Sequence, residues 1–376
     1  MDFSLTEEQQ LLRDAIARFV ANEYSFEERK RIVASPKGWS DNVWSKFAEM
    51  GLLGVPFQEA NGGFGGGGVD LMVVAQELGR GMVVEPYLST VVLAGGLVEL
   101  AGTAAQKRDI LPGIVKGKWL LALAHGEPQS RYDLHDVAAS ARREPSGYVL
   151  NGRKAVVLHG ASADTLVVSA RTAGAQRDRA GITLFLVDGK TRGVNVSGYR
   201  TIDGLRGADI ELDGVHVGDE AVLGPVDGAL PLLEQAVDRG AAVLCAEAVG
   251  AMEALNAATL DYLKTRQQFG QPIGRFQALQ HRAVDMLMHA EQSKSMACLA
   301  AVKCDSQDAR ARSRAVSAAK SLIGRSGRAV AKEAIQLHGG MGVTNELPAA
   351  HLAKRLTMID FWLGDSDWHT ERFVAD

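Results

Sequence analysis

The segment that decides the fold spans Gln336–Arg372 and reads QLHGGMGVTNELPAAHLAKRLTMIDFWLGDSDWHTER. A helix-forming run ends at Leu337, and three glycines within the next five residues break it. Glycine adopts left-handed backbone angles, so this break either caps the helix or exposes N–H groups that suit a phosphate. A new helix is predicted to begin at Pro348, a residue suited to a first helical turn. It ends at a second break, Leu363-Gly364-Asp365.

Composition limits the class of protein. The 376 residues are 46% hydrophobic, enough for one large core or two to three smaller ones. Lys plus Arg total 41 and Asp plus Glu total 45, with no long basic block, which argues against a nucleic-acid partner. The three cysteines have no metal-type spacing, which predicts no metal site and a reduced, cytoplasmic location. Charges such as Glu247 interrupt the apolar runs, which predicts no membrane span.

The first part of the chain, from Ser4 to about Lys118, has helical periodicity. It contains the glycine-rich stretch Gly62–Gly68, which includes a GxGxxG match. That fingerprint binds dinucleotides only after a strand in a βαβ unit, whereas here a helical run precedes it and another follows. We therefore predict an interhelical loop.

Between about Trp119 and Gly224 the pattern changes to short apolar runs separated by Gly, Asp and Asn. The stretches that begin at Trp119, Asp164 and Gly181 are predicted strands. Tyr148 begins another, which runs into Asn151-Gly152, a typical hairpin turn. Several strands without intervening helices predict a compact antiparallel barrel or sandwich.

After Gly228 the helical period returns. Long helices are predicted over Leu232–Thr265, Phe276–Val302 and Arg312–Leu337, with apolar faces that favour a four-helix-type bundle and an oligomer. The fold class is therefore α+β. The predicted domains are a helical domain over residues 1–118, a β-domain over 119–224 and a helical bundle over 225–376.

The order helix, QxxGGxG turn, helix and short x-G-x break resembles the C-terminal end of the acyl-CoA dehydrogenase family. The phrases Gly51–Pro56 and Gln76–Arg80 resemble the N-terminal helical domain of the same family, so the resemblance covers nearly the whole chain. It implies FAD as cofactor, an acyl-CoA thioester as substrate, a dimeric or tetrameric assembly and an electron-transfer flavoprotein as electron acceptor.

The stretch Arg266–Gln277, RQQFGQPIGRFQ, resembles the family's RxxFGxxI..FQ turn. By itself, an arginine beside an aromatic and a glycine turn either pairs with a phosphate or is an ordinary surface residue. The resemblance implies that this turn and the QxxGG turn hold the pyrophosphate and adenine half of FAD across a dimer interface. The implied residues are Arg266, Phe269, Gln336, Gly339 and Gly340, and more loosely Gln268.

The half of the family's flavin site that holds the isoalloxazine ring is altered here. In the family's TEPxxGSD segment, Gly126 and Tyr132 replace Thr and Ser. In its KxWITNG segment, Val156 replaces the tryptophan and Leu158 replaces the threonine. His125 and also His159 either replace some of the lost contacts or are ordinary loop histidines.

The catalytic base is also missing from its usual place. The resemblance puts a glutamate, which removes the proton alpha to the thioester, at the position of Leu363. Some family members carry it instead on the first long C-terminal helix, where this chain has Gly240. Asp365 is a weak substitute, also a cofactor-contact candidate, and is equally suited to cap a helix. Glu247 is a second weak substitute and fits a structural carboxylate better. Two further aspartates within reach are Asp238 and Asp367.

Three hypotheses fit these residues. In the first, the chain is the partner-type subunit of a mixed acyl-CoA dehydrogenase, as in bacterial sterol degradation, and grips only the far half of FAD. In the second, it is a self-sufficient flavoenzyme with a shifted base or variant chemistry. In the third, it is a flavin-free acyl-CoA binding or scaffold protein. The sequence leaves the acyl group open.

Overall fold

The computed structural model describes residues 4–375. Threonine side chains cap two of the early helices in capping boxes, at Thr6 and Thr103. The helices of this part are α1 (Glu7–Glu23), α2 (Phe26–Ala34), α3 (Asp41–Glu49), α4 (Gly68–Arg80), a π-helix (Tyr87–Gly95) that continues as α5 (Gly96–Ala101), and α6 (Ala104–Val115). A 3-10 turn, Glu59–Asn61, precedes the glycine-rich stretch and α4 follows it, so the loop prediction is confirmed.

One eight-stranded sheet follows. Its strands are β1 (Leu121–Ala124), β2 (Ser140–Glu144), β3 (Gly147–Leu158), β4 (Thr165–Arg171), β5 (Ile182–Asp188), β6 (Val194–Arg200), β7 (Arg206–Val217) and β8 (Val222–Leu223). Their order is β6-β7-β3-β2-β4-β5-β8, with β1 added beside β4. The pairings are mainly antiparallel, but β1 runs parallel to β4, which the strand pattern did not indicate. Leu150, Phe185 and Ile210 are among the residues of the sheet's buried core.

The predicted hairpin turn at Asn151-Gly152 is wrong. The twelve-residue strand β3 passes through both residues, and the turn lies between Glu144 and Gly147. Gly152 has another reason to be glycine: a Cβ there would lie 2.6 Å from the Ala139 backbone. Close approach of a neighbouring segment, together with a register shift beside Gly152, explains the residue that the pattern assigned to a turn.

The remaining helices have nearly the predicted bounds. They are α7 (Leu230–Thr265), α8 (Gln277–Lys303), α9 (Ala309–His338), α10 (Pro348–Phe361) and α11 (Ser366–Ala375), with the short hairpin β9 (Gln267–Gln268) and β10 (Gln271–Pro272) between α7 and α8. Pro348 is at the start of α10, as predicted.

Helix α7 requires a correction on membrane spans. Its 36 residues are long and apolar enough to cross a membrane by length and composition, although Glu247 interrupts the run. However, 67% of its most apolar window is buried inside the protein. A helix that is apolar on most sides and buried in this way is typical of a protein core.

The chain forms two compact units, and each combines stretches that are separate in the sequence. One unit contains the chain up to Ile32, Gly68–Val83 and the chain from Ala241 onward; the other contains Val33–Gly67 and Val84–Gly240. Within the first unit, α4 and α7 approach so closely that a Cβ on Gly250 would lie 1.8 Å from the carbonyl oxygen of Gln76. The predicted domain boundaries remain predictions.

Candidate functional site

The turn after α9 presents open backbone. Gly339 has φ 58° and ψ −140°, in the part of backbone space that favours glycine. Gly339 and Gly340 are exposed, and a Cβ at either would meet no atom of the described chain within 4 Å. By contrast, a Cβ on Gly342 would lie 2.6 Å from the Ile335 carbonyl oxygen. The first two glycines therefore leave room for another molecule to approach the backbone.

The hairpin between β9 and β10 turns through Phe269 and Gly270, both with positive φ. Asn-Gly or Asp-Gly usually occupies such a two-residue turn. A left-handed conformation costs an ordinary residue about 1–2 kcal/mol. Phe269 has this conformation although it is 90% exposed. Its ring makes an edge-to-face contact with Phe276, at 6.1 Å between ring centroids. A strained aromatic residue held out in solvent is typical of a binding position.

These two turns lie at the same end of the helical bundle. The ring of Tyr262, near the end of α7, stacks on His338, the last residue of α9, at 4.5 Å between centroids. The backbone N–H of Arg266 donates to the Tyr262 carbonyl at 2.8 Å, and Gly339 directly follows His338. The stack therefore brings the arginine turn and the glycine turn together.

The chemistry of this end suits a nucleotide tail. Arg266 is exposed and offers a planar fork of donors that matches phosphate oxygens. Gln268 and Gln336 are also exposed and add amide groups. With an aromatic ring and open glycine backbone beside them, these residues fit the adenine and pyrophosphate half of FAD.

A buried ion pair joins the two segments that correspond to the family's flavin-ring site, one around Glu127 and one around Lys154. Lys154 is fully buried, and its Nζ donates to Glu127 Oε1 at 2.6 Å and to Ser169 Oγ at 3.1 Å. The Glu127 carboxylate also accepts from the backbone N–H groups of Ala138 and Ala139. Burial raises the pKa of Glu127, but the Lys154 charge and these donors outweigh it and hold that pKa below its usual range. Lys154 and Glu127 therefore have a structural role.

The side chains expected to face a flavin ring are absent. Gly126 has no hydroxyl, and its carbonyl accepts from the N–H of Ala155 at 2.9 Å, which joins the two ring segments. Val156 has φ 55°, unusual for a β-branched residue, and is 49% exposed. Leu158 is buried. This half offers neither an aromatic wall nor a hydroxyl at these positions, so its side chains do not fit the ring as those of the family do.

This region contains two histidines, His125 and His159. Within residues 4–375, His125 Nδ1 has no hydrogen-bond partner. Burial and the nearby Lys154 charge lower the pKa of His125 to about 4, so it is neutral near pH 7. His159 is buried and has a left-handed backbone conformation. Its backbone N–H donates to the Arg206 carbonyl oxygen at 2.8 Å. His125 remains a predicted cofactor contact.

Asp365 and Glu247, the two weak substitutes for the base, are not free carboxylates. Leu363 has φ 57° and an apolar side chain that cannot accept a proton. Asp365 is only 8% exposed, and its Oδ1 accepts from the Trp368 N–H at 2.8 Å, the geometry of an N-cap on α11. Glu247 forms a two-point ion pair with Arg355 at 2.6 and 2.8 Å. Both carboxylates therefore have structural partners.

The remaining acidic candidates are no better placed. Asp238 is fully buried, and Gly240 has no side chain to offer. Asp367 is exposed in the first turn of α11, where a negative charge favours the helix. Of these four candidates, Asp367 is an exposed carboxylate, but its place in the first turn of α11 already has a structural explanation.

The capping geometry predicts how Asp365 responds to substitution. We expect Asp365→Asn to leave both stability and any turnover of the active complex unchanged, because asparagine caps as well as aspartate. Asp365→Ala should lower the free energy of unfolding by about 1 kcal/mol, since the first turn of α11 loses its acceptor. Urea titration measures this, with Asp367→Ala as the control. A large loss of turnover in Asp365→Asn at unchanged stability would restore the base hypothesis.

Sequence reasoning missed two polar residues beneath the break, Lys320 and His369. Lys320 is fully buried, and its Nζ donates to the carbonyl oxygens of Asp360 at 2.9 Å and Gly364 at 2.7 Å. His369, also fully buried, has Nε2 3.0 Å from the Leu363 carbonyl oxygen. A signal was present: Lys320 interrupts the apolar stripe of α9, four residues after Val316.

Family models match all three segments of the chain. The N-terminal domain of acyl-CoA dehydrogenases matches residues 6–118, the middle domain residues 122–215 and the C-terminal domain residues 230–375. Among relatives, mitochondrial isovaleryl-CoA dehydrogenase of Solanum tuberosum is 32% identical over 87% of this chain and 80% of its own length. A probable acyl-CoA dehydrogenase of Bacillus subtilis, YngJ, is 28% identical over 98% of this chain and 97% of its own.

Solved structures agree. Butyryl-CoA dehydrogenase of Megasphaera elsdenii has a TM-score of 0.91 and 25% identity, covering 100% of this chain and 99% of its own. The ChsE4-ChsE5 complex of Mycobacterium tuberculosis has a TM-score of 0.88 at 26% identity, covering 100% and 98%. The Tcur3481-Tcur3483 steroid dehydrogenase variant has a TM-score of 0.88 at 29% identity, covering 98% and 97%. The chain therefore belongs to the acyl-CoA dehydrogenase family, the FAD-dependent oxidoreductases that act on CH-CH bonds.

Proposed function

We propose that this chain is a partner-type subunit of an FAD-dependent acyl-CoA dehydrogenase. It holds the nucleotide tail of FAD, while a related chain that carries the glutamate supplies the ring site and the base. The observation that carries this proposal is the contrast between the two breaks of the C-terminal segment. The break at Gly339 is open beside an exposed Arg266, whereas the break at Leu363 carries an apolar side chain at the base position and its neighbour Asp365 caps α11.

Two observations support a mixed assembly. Similar solved structures include the ChsE4-ChsE5 complex and the paired Tcur3481-Tcur3483 steroid dehydrogenase, each with two components. The altered side chains at Gly126, Val156 and Leu158 are the second support, because they weaken the chain's own grip on a flavin ring. An acyl-CoA as substrate and an electron-transfer flavoprotein as electron acceptor are part of the same proposal.

One observation favours a second candidate, a self-sufficient flavoenzyme. His125 places a buried nitrogen without a partner among the described residues in the segment that flanks the ring in relatives. Such an atom calls for an acceptor or donor from a bound molecule. If the chain binds the ring itself, His125 is the residue to test first.

The test is the colour of the purified protein. We expect the chain alone to be colourless, without the visible absorption of a flavin. Co-expressed with a glutamate-bearing relative, it should yield a complex with bound FAD and acyl-CoA dehydrogenase activity. A yellow oligomer of this chain alone that oxidises an acyl-CoA would favour the second candidate. A colourless chain that binds acyl-CoA without a partner, and that gains no FAD on co-expression, would favour a flavin-free binding protein instead.

A further inference from the structure

A groove lies between α7 and α8, and apolar side chains form most of its lining. Its volume is about 710 Å³, within the range of small-molecule sites. Of the lining residues, Leu263 and Met286 are buried, whereas Leu260, Val284 and Leu287 are each about half exposed. Large apolar side chains that face one open groove are costly in water, so we expect an apolar group to cover them.

Hydrogen bonds and packing fix the two ends of this groove. At one end, Asn256 Nδ2 of α7 donates to the Met286 carbonyl oxygen of α8 at 3.2 Å. At the other end, the 3-10 turn that contains Gly274 lies against α7, since a Cβ on Gly274 would lie 2.9 Å from the Leu263 carbonyl oxygen. Gln280 Nε2 also donates to the Gly274 carbonyl oxygen at 2.9 Å. The groove is therefore preformed, which lowers the cost of binding.

Two cations lie at the end of the groove near Gly274. Lys264 directly follows Leu263 and Arg275 directly follows Gly274, so the contact between Leu263 and Gly274 brings both cationic residues to the same end. Both are exposed and line the groove. Within residues 4–375 neither forms an ion pair, and no carboxylate lines the groove. This end therefore suits an anion.

The length of the groove indicates the size of the ligand. The distance from Lys264 back to Asn256 along α7 is about 12 Å, eight residues at about 1.5 Å each. Apolar side chains line the groove between these residues. An anion at one end and an apolar surface of this length together match an amphipathic molecule with an alkyl chain of medium length.

Two other classes of ligand match the groove less well. A nucleotide would gain no stacking contact, because no aromatic side chain of residues 4–375 lines the groove. A second copy of this chain would have to bring a carboxylate to Lys264 and Arg275, since lysine is disfavoured in the buried part of a subunit interface. A small amphipathic anion meets both requirements by itself.

We propose that the groove between α7 and α8 binds a medium-chain carboxylate. Lys264 and Arg275 pair with the carboxylate, and the alkyl chain covers the apolar residues of the two helices. The inference does not depend on the proposed function, because none of its contacts uses the Arg266 turn or the Gly339 turn.

Calorimetry on the full chain tests this with octanoate, octanol and acetate, which separate the alkyl chain from the charge. The variants are Lys264→Gln/Arg275→Gln and Leu287→Gln. Lys303→Gln is the matched control for the charge, because Lys303 is also exposed in the last turn of its helix but does not line the groove. Leu299→Gln is the control for the apolar surface, since Leu299 is exposed on α8 outside the groove.

We expect wild type to bind octanoate about tenfold more tightly than octanol, the effect of charge-assisted hydrogen bonds to the carboxylate. Acetate should show no measurable binding. Lys264→Gln/Arg275→Gln should bind octanoate and octanol equally, because the preference comes from the charge. Leu287→Gln should weaken both ligands about fivefold through lost apolar contact. The two control variants should bind like wild type.

The inference is overturned if wild type does not prefer octanoate or if the double variant keeps the preference. It is also overturned if Leu299→Gln weakens binding as much as Leu287→Gln, which would indicate adsorption to any apolar surface. Sedimentation velocity covers the remaining case: an oligomer that Leu287→Gln dissociates, with no octanoate binding by wild type, would assign the groove to a second copy. None of these results changes the outcome of the colour test for the proposed function.

Discussion

Arg266→Ala should empty the FAD site of the assembled complex, with an affinity loss of about tenfold to a hundredfold. Charge-assisted hydrogen bonds from arginine to phosphate contribute about 1.5–3 kcal/mol, and alanine removes all of them at once. The turn itself should survive, because the Arg266 backbone makes its bonds without the side chain: its N–H donates to Tyr262 and its carbonyl accepts from Ile273. The effect is therefore on binding and not on folding.

The chain offers a matched control for this variant. Arg275 is exposed nine residues later, beyond the same hairpin, so that Arg275→Ala removes an equal charge from the same region. Equilibrium dialysis with ADP, which contains only the tail, and with FAD measures both variants in the complex. Arg266→Ala should weaken both ligands and Arg275→Ala neither. Equal losses in the two variants would reduce the role of Arg266 to a general charge effect.

The parts of this fold that depend on local chemistry were predictable. Pro348 set the start of α10, and the glycines after Leu337 set the end of α9, because each acts through its own backbone angles. Gly152 shows the limit of the same reasoning. Its neighbour Ala139 is close only in the folded sheet, so the Asn-Gly pair suggested a turn where a strand continues.

The candidate site likewise has one part that the sequence predicted and one part that it did not. The motif around Arg266 is contiguous, and its exposed residues do lie at one end of the bundle. The floor of the Leu363 break is built from residues far apart in the chain: Lys320 reaches Gly364 across 44 positions. Lys320 bonds the backbone carbonyl oxygens of Asp360 and Gly364 rather than a side chain, so residue types in the sequence did not point to the contact.

Glu127→Gln should be the most destabilising of the conservative substitutions, lowering the free energy of unfolding by about 3–5 kcal/mol. It leaves the fully buried Lys154 ammonium without its counter-charge, and the cost of an unpaired buried charge is of this size. The glutamine amide would also direct donors at Lys154 Nζ. Glu144→Gln is the control: its pair with Arg142 is largely exposed and should contribute about 1 kcal/mol or less.

The effect of Glu127→Gln should depend on pH with a defined sign. The pKa of Glu127 is held below its ordinary 4.5 in the folded protein, so its stabilisation is complete above that pH. It is lost as pH falls through the folded-state pKa, and wild type and Glu127→Gln should converge there. Denaturant titration from pH 7 downward measures the difference.

The double variant Lys154→Met/Glu127→Gln separates the pair from its parts. It should lose less than the sum of the single losses, because neither partner then leaves an unpaired charge in the interior. Strictly additive losses would mean that Glu127 acts through the Ala138 and Ala139 N–H groups alone. Additivity would also mean that the buried Lys154 charge has no stabilising partner in Glu127.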